Sequence, residues 1–370
     1  MQRWQTTVGF SGPFLGVRPA PVASGFRNTP MTEPRLSVVM PVFNGAVWLQ
    51  KAIDSVLQQS FSDFEFIIVD DASTDASKQI AMEAARNDSR IHRIDQRHMG
   101  VAAALNRGVA LARSPWIARM DADDIANPAR FQQQITFLSK HPDIAALGSW
   151  ALMIDEEGCQ IGVLKPACEP DRLRAVLAKQ NPFIHASMMM SVKLVRQLGA
   201  YRAVLEGAED YDLWLRISEC APLANLPECL ISYRRHFASV SATAAHKQLL
   251  MARLARLSAA DRRASRPDFV DELNAPINLD TLRVHDRLRT TVEFYGTLAR
   301  PSKNSVSVRD LNRLGCTDLN HAERKAAQYW LVSLFKAQTS WIIRAWSIRW
   351  LLSLHPLRGV LLVISLFKSP

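Results

Sequence analysis

The fold of this sequence can be predicted outward from one stretch, Arg119-Met120-Asp121-Ala122-Asp123-Asp124. An apolar run, residues 115–118, precedes it, and Asn127-Pro128 follows as the predicted start of a helix. Three carboxylates therefore share one short turn after a predicted buried strand, where like charges repel each other. A divalent cation would offset that repulsion, because Mg²⁺ and Mn²⁺ bind carboxylates together with substrate phosphates. The alternative is that the aspartates only form a turn or cap a helix, but Asn127 already supplies the predicted cap.

Upstream of this turn, apolar strand patterns alternate with helical patterns. The predicted strands are residues 36–40, 64–69, 91–94 and 116–120. Short connections between alternating strands and helices predict an α/β fold, with a Rossmann-like, mostly parallel sheet flanked by helices. Ligands bind such sheets at the carboxyl ends of the strands. Polar residues follow three of these ends, at 41–44, 70–71 and 121–124, and are predicted to meet at one edge.

The positive charge of the chain is concentrated at its two ends. The formal net charge is +10, of which residues 1–32 carry +3 and residues 323–370 carry +6, leaving +1 between them. A near-neutral middle argues against a nucleic-acid-binding groove and favours a membrane-facing tail. No apolar run approaches the roughly 20 residues of a membrane-spanning helix. The segment 1–32 lacks the apolar core of a signal peptide and is predicted to be disordered, with Met31 as an alternative start of translation.

The cysteines indicate a reducing compartment. There are five, an odd number, and no Cys-x-x-Cys pair occurs, so neither a zinc site nor a disulfide framework is predicted. We therefore expect a cytoplasmic protein. Residues 33–242 are predicted to form the functional domain, and 243–370 a mainly helical C-terminal region. Tryptophan and arginine within 341–367 suit peripheral contact with the cytoplasmic face of the inner membrane, although packing on the domain is the alternative.

Four segments within residues 35–242 resemble the family 2 glycosyltransferases, which have the GT-A fold. The matching segments are Pro41-Val42-Phe43-Asn44, Val69-Asp70-Asp71-Ala72-Ser73-Thr74-Asp75, Asp121-Ala122-Asp123-Asp124 and Glu209-Asp210. They resemble, in that order, the first nucleotide-binding strand, the Val-Asp-Asp-Gly-Ser-Thr-Asp turn, the Asp-x-Asp metal motif and the acceptor-side Glu-Asp motif. A run from Tyr233 to His236 also resembles the family.

The resemblance implies a nucleotide-sugar site held by a divalent cation, Mn²⁺ or Mg²⁺. The donor expected by default is a UDP-sugar, with dTDP-sugars as an alternative. The implied nucleotide-sugar-binding residues are Pro41, Val42, Phe43, Asn44, Asp70, Asp71, Ser73, Arg119, Asp121 and Ala122. The implied metal ligands are Asp123, Asp121 and His236, and His236 could equally be structural. A surface salt bridge is the alternative for Arg119.

The reaction implied by the resemblance is inverting sugar transfer to a hydroxyl of a saccharide or lipid-linked saccharide, in the synthesis of cell-surface polysaccharide, lipopolysaccharide or glycolipid. Asp210 would be the catalytic base. Glu209 would be its orienting or acceptor-contacting partner. The alternative is that both acids only favour the N-terminus of a helix. His185 either lines the acceptor mouth or packs a loop.

This sequence departs from the family pattern at several positions. His98-Met99-Gly100 replaces the common Asn-x-Gly, and Ala72 replaces a glycine, which restricts positive φ angles at that turn. The Gln-x-x-Arg-Trp run of processive enzymes was not found, so a non-processive enzyme is expected. An NAD-dependent oxidoreductase would need Gly-x-Gly-x-x-Gly after the first strand. A metal-dependent nucleotidyltransferase and a non-catalytic sugar-nucleotide-binding protein are the closer alternatives.

Overall fold

The structure is a computed structural model that describes residues 33–236 and 245–273. The predicted disordered segment 1–32 and the segment 341–367 lie outside these ranges, as does most of the predicted helical region 243–370. Within the described ranges, no helix is both long enough and apolar enough to cross a bilayer.

The described residues contain a sheet of nine strands. The strands are β1 (Leu36–Val42), β2 (Phe64–Asp70), β3 (Ile91–Asp95), β4 (Trp116–Arg119), β5 (Ile125–Ala126), β6 (Ala146–Ile154), β7 (Gln160–Leu164), β8 (Met189–Ser191) and β9 (Leu223–Arg234). Their order is β3-β2-β1-β4-β8-β6-β9-β5, with β7 paired to β6 outside this path.

The first half of the sheet is parallel and the second half is mixed. β3, β2, β1 and β4 pair in parallel, as the alternating sequence pattern predicts. β8 then inserts antiparallel between β4 and β6, and β7 folds back on β6 through a hairpin. The predicted α/β class is confirmed. The sheet departs from a mostly parallel one because β7 returns through a hairpin and β8 runs antiparallel to both of its neighbours.

Helices cover the sheet. They are α1 (Ala46–Leu57), α2 (Ser77–Asn87), α3 (Val101–Leu111), α4 (Arg130–Lys140), α5 (Pro170–Leu177), α6 (Val192–Gln197), α7 (Glu209–Ser218) and α8 (Ala245–Arg263). The residues of β2 are all buried, as expected for a strand covered on both faces. α3 approaches β1 closely at Gly108, where a Cβ atom would overlap the Val39 side chain.

The helix after the aspartate turn begins later than predicted. α4 starts at Arg130, and its N-cap is Ala129 rather than Asn127. The Asn127 side chain instead accepts a hydrogen bond from the Ala129 N–H, 2.9 Å away. Asn127 therefore forms a turn of its own ahead of the helix, and the aspartates lie before that turn.

Residues 245–273 pack on the domain rather than apart from it. Leu254 of α8 is fully buried in the same apolar cluster as Trp214 of α7. Lys247 pairs with Glu206 at 2.6 Å, and Arg262 pairs with Glu219 at 2.8 Å. α8 thus contacts both the turn that precedes α7 and the end of α7.

Ala72 adopts the positive φ angle that its side chain was expected to disfavour. Its φ is 65°, in the left-handed region. The neighbouring backbone fixes this conformation, because the Asp71 N–H donates to the Val42 carbonyl and the Ser73 N–H donates to Asp70 Oδ1. The family's glycine would relieve the steric cost of a Cβ here.

We expect Ala72→Gly to raise the free energy of unfolding by roughly 0.5–1 kcal/mol, since relief of left-handed strain exceeds the extra entropy of the unfolded chain. Denaturant unfolding measures this change. The matched control is Ala85→Gly in the right-handed helix α2, which should lower stability by a similar amount. A destabilised Ala72→Gly protein would contradict the φ angle described for this turn.

Candidate active site

The aspartate turn is fixed to the sheet by backbone and arginine contacts. The Met120 N–H donates to the Val39 carbonyl of β1, and the Arg119 N–H donates to the Met188 carbonyl beside β8. Arg234, which is buried at the end of β9, donates through Nε to the Asp123 carbonyl. Arg130 donates through Nη2 to the Arg119 carbonyl. The turn is therefore held from three directions.

Three carboxylates gather at this turn. One ligand atom each from Asp121, Asp123 and Asp124 lies within 4.8 Å of the others. Asp124 is 1% exposed; its Oδ1 accepts from the Arg234 N–H, and its Oδ2 has no hydrogen-bond partner among the described residues. Burial raises the pKa of Asp124 well above its ordinary value, and the charges of Asp121 and Asp123 add to that effect. The protein alone does not satisfy this negative charge.

His236 lies against the same group. Its Nε2 is 2.9 Å from Asp123 Oδ2, and its ring packs on Trp48 with 4.3 Å between the centroids. Burial and the Asp121 charge raise the pKa of Asp123, while His236 acts in the opposite direction. Of the predicted metal ligands, Asp121 and Asp123 therefore share the turn, and His236 contacts Asp123.

The donor set at this turn fits a hard divalent cation. Carboxylate oxygens make up the set, an imidazole nitrogen contacts one of them, and a buried oxygen of Asp124 is unpartnered among the described residues. A cation would remove the mutual repulsion that raises the carboxylate pKa values. The sequence did not predict Asp124 as a ligand. The position of its carboxylate beside Asp121 and Asp123 makes it a further candidate.

Arg119 is a buried cation and not part of a surface salt bridge. It is 4% exposed and pairs with Asp121, while its Nε has no hydrogen-bond partner among the described residues. Burial opposes its charge, yet the neighbouring Asp121 raises the pKa of Arg119 above its ordinary value. The surface alternative is therefore wrong.

The predicted nucleotide residues surround the ends of β1 and β2. Pro41 and Val42 end β1, the Phe43 side chain beyond them is 50% exposed, and Asp70 and Asp71 are buried at the end of β2. Asp71 accepts hydrogen bonds from two backbone N–H groups at the start of α3, those of Met99 and Gly100.

The two loops beyond these strands are tied to each other and to the aspartate turn. The Asn44 N–H donates to Ser73 Oγ, and Asn44 Oδ1 accepts from the Thr74 N–H. A Cβ at Gly45 would lie 3.4 Å from the Ala122 methyl carbon. All three predicted polar clusters therefore meet at one edge of the sheet.

Glu209 and Asp210 form the first turn of α7. Burial and the Asp210 charge raise the pKa of Glu209 to about 7. Burial also raises the pKa of Asp210, but two hydrogen bonds oppose the effect. They come from the Tyr211 N–H at 2.6 Å and from Asn181 Nδ2 at 2.8 Å. Hydrogen bonds oppose the rise at both acids, since Glu209 accepts from the Gly207 N–H.

One short segment connects Asp210 with the aspartate turn. Asn181 bonds Asp210, and seven residues later the Met188 carbonyl accepts from the Arg119 N–H. The Arg119 charge opposes the rise in the pKa of both Asp123 and Asp210. The two acidic motifs, far apart in sequence, are therefore connected through residues 181–188.

A separate cavity of about 820 Å³ lies at the other end of α7. It is lined by residues of α5, residues 218–223 and the last turn of α8. Ser218 is the last residue of α7 and Glu209 the first, so this cavity is roughly 15 Å from the acid pair along the helix axis. It is distinct from the candidate site.

Known proteins share both the sequence and the fold of this chain. The sequence profile described as glycosyl transferase family 2 matches residues 37–199. The putative glycosyltransferase EpsE of Bacillus subtilis is 38% identical over 191 residues, which cover 50% of this chain and 67% of that relative. The chain belongs to glycosyl transferase family 2.

Other relatives of this glycosyltransferase support the same membership. The O-antigen biosynthesis glycosyltransferase WbnJ of Escherichia coli is 32% identical over 214 residues, 56% of this chain and 83% of WbnJ. A crystal structure of S. aureus TarS with UDP-GlcNAc superposes with a TM-score of 0.50 at 16% identity, covering 82% of each chain. That likeness confirms the GT-A fold.

The glycosyltransferase site includes residues that motif matching did not find. Asn181 orients Asp210, Trp48 packs on His236, and Arg234 binds the aspartate turn. Arg234 lies in the run 233–236 that resembles the family, but its own role was not predicted, and Asn181 and Trp48 lie in none of the matching segments. The His185 ring lies beside Tyr201 and Trp214, with Nε2 3.0 Å from the Tyr201 hydroxyl, so it packs its own loop.

We expect Asn181→Ala in this glycosyltransferase to shift the acidic limb of the kcat–pH profile to higher pH. The Asn181 amide stabilises the charged carboxylate of Asp210, so its removal raises the pKa of Asp210 further. At a pH below the new limb, kcat should fall about tenfold. Gln79→Ala on the exposed face of α2 is the control. An unchanged limb would exclude Asp210 as the titrating base.

Proposed function

We propose that this enzyme is an inverting, non-processive glycosyltransferase that moves a sugar from a nucleoside-diphosphate sugar to an acceptor hydroxyl. The observation that carries the proposal is the group of three carboxylates on the aspartate turn, which residues 181–188 connect to Asp210 through the Asn181 amide and the Met188 carbonyl. A donor diphosphate and an acceptor must lie side by side for transfer. The aspartate turn offers metal ligands for the diphosphate, and the Glu209–Asp210 pair offers a base for the acceptor.

Phe43, Asp70 and Asp71 are the proposed base and ribose contacts on the donor side. Phe43 offers a half-exposed ring for stacking, and the aspartates offer acceptors for a base N–H group. The hydrogen bond from the Asn44 N–H to Ser73 Oγ fixes the loops after β1 and β2 relative to each other. A uracil base suits such an acceptor, so UDP-sugars are the proposed donors, with dTDP-sugars as the competing class.

Asp121, Asp123, Asp124 and His236 are the proposed ligands of Mn²⁺ or Mg²⁺. When bound, the cation would neutralise charge on the leaving diphosphate. Arg119 lies beside the same carboxylates and contributes a second positive charge toward the donor phosphates.

Asp210 is the proposed base. The acceptor oxygen forms a bond to the anomeric carbon as the bond from that carbon to the diphosphate oxygen breaks. The hydroxyl proton passes to the Asp210 carboxylate. Attack on the face opposite the leaving group inverts the anomeric configuration. Glu209, with a pKa near 7, accepts from the Gly207 N–H and positions the first turn of α7.

The names of two relatives support cell-surface polysaccharide as the acceptor class. One relative is an O-antigen biosynthesis glycosyltransferase, and another is the amylovoran biosynthesis glycosyltransferase AmsE of Erwinia amylovora, 31% identical over 188 residues. A saccharide acceptor carried on a lipid would suit action at the cytoplasmic face of the membrane. The tryptophan- and arginine-containing segment 341–367 is the proposed contact, and it lies outside the described residues.

A donor screen tests the proposal. Purified protein with Mn²⁺ is titrated by calorimetry with UDP, dTDP and GDP, and release of nucleoside diphosphate from the matching sugars is measured. We expect binding of UDP and a product whose anomeric configuration, read by NMR, is opposite to that of the donor. Failure to bind any of the three nucleotides, or retention of configuration, would contradict the proposed function.

A further inference from the structure

An imidazole occupies the half-exposed face of Phe43. The His98 ring stacks on the Phe43 ring with 4.3 Å between the centroids and 29° between the planes. Phe43 is the aromatic residue proposed above to lie along the donor base. His98 lies in the loop between β3 and α3, whereas Phe43 lies in the loop after β1. One planar ring thus already covers the surface on which a base would stack.

The same imidazole also contacts the Asp71 carboxylate. His98 Nδ1 lies 3.0 Å from Asp71 Oδ2 and 3.2 Å from the Asp71 carbonyl oxygen. Asp71 Oδ1 already accepts from the Met99 N–H and from Gln96 Nε2, and Oδ2 accepts from the Gly100 N–H. A carboxylate has about four acceptor positions, so the histidine takes the last one.

We propose that His98 occupies the position of the donor base in the free enzyme and that the base displaces it on binding. A flat ring that stacks on Phe43 and points a ring nitrogen at Asp71 has the shape and polarity of a pyrimidine with its N–H. His98 is therefore a residue that sets donor affinity. The inference rests on the proposed function, because it takes Phe43 and Asp71 as base contacts.

His98 is free to move aside. Its side chain is 59% exposed, and its contacts among the described residues are the ring stack on Phe43 and the two Asp71 oxygens. The stack is exposed, and water reaches the imidazole side of the pairing with the buried Asp71 carboxylate, so the covered state is favoured only modestly. If about one tenth of the molecules have an open base position, the apparent dissociation constant is about tenfold higher than the intrinsic one.

The test is calorimetric titration of UMP and of UDP with His98→Ala in the presence of Mn²⁺. We expect the Kd of both ligands to fall about tenfold relative to the wild type. UMP lacks the diphosphate, so an equal gain for UMP places the effect at the base. The matched control is His141→Ala, which removes another histidine stacked on a phenylalanine, Phe137, at 4.3 Å. That control should leave both Kd values unchanged.

A second variant separates this inference from the proposed function. Phe43→Ala should weaken UMP binding, because it removes the stacking surface itself. Weaker or unchanged binding by His98→Ala, while Phe43→Ala also weakens binding, would overturn the displacement of His98 and leave the proposed function standing. If Phe43→Ala has no effect on binding, or no variant and no wild-type protein binds a nucleotide, the base site itself is misplaced and both proposals fail.

Discussion

Asp210→Asn is expected to lower kcat for sugar transfer by about 10³-fold while the Kd of the donor nucleotide changes little. Asparagine keeps the shape of the side chain and can still accept the hydrogen bond from Asn181 or from the Tyr211 N–H. It cannot take the acceptor proton. Single-turnover kinetics with calorimetric measurement of nucleotide binding separates the lost chemistry from lost binding.

The control for this variant addresses the helix dipole. Acids in a first helical turn stabilise a helix without any catalytic role, and Asp171 is an exposed acid in the first turn of α5. Asp171→Asn should leave kcat within about twofold of the wild type. An Asp210→Asn enzyme that retained full activity would show that Asp210 serves only the dipole of α7.

The second large effect concerns the cation. Asp123→Asn is expected to weaken Mn²⁺ binding by about 100-fold and to lower kcat/KM by about 10²–10³-fold. Asp123 lies between Asp121 and His236, so its loss removes the central member of the donor set. Mn²⁺ titration followed by electron paramagnetic resonance measures the affinity without any turnover.

The same variant should remain folded in the absence of metal. Burial and the charge of Asp121 raise the pKa of Asp123, so its charged form is disfavoured in the folded protein. A neutral asparagine removes that unfavourable charge and should leave the melting temperature close to that of the wild type. Asp143→Asn, at an exposed turn, is the control for metal binding. Undiminished Mn²⁺ affinity in Asp123→Asn would place the cation elsewhere.

The parallel half of the fold could be predicted because its signals are local. β1 and β2 are mostly apolar runs, and acids stand at the end of β2 and two residues after β4. Burial on both faces selects such runs, and topology places their carboxyl ends at one edge. The resemblance to the family implied the nucleotide candidates and His236 at that edge. In the structure Asp121 and Asp123 share one turn, and His236 contacts Asp123.

The strand pairings of the other half could not be predicted because they depend on tertiary contacts. β8 has only three residues, yet it joins the two halves of the sheet by pairing with both β4 and β6. The backbone N–H of Arg119 donates to the Met188 carbonyl directly before β8. Asn181 meets Asp210 only after a fold brings together residues 29 positions apart. The spacing of residues in the sequence does not indicate such tertiary contacts.

The most direct test of one shared donor site is electron–nuclear double resonance of Mn²⁺ bound together with UDP. The account predicts a ³¹P hyperfine coupling that shows direct contact between Mn²⁺ and the diphosphate in the wild type, and its loss in Asp123→Asn. Binding of both ligands without any ³¹P coupling, or an unchanged coupling in Asp123→Asn, would contradict the claim that the aspartate turn holds the donor through a metal.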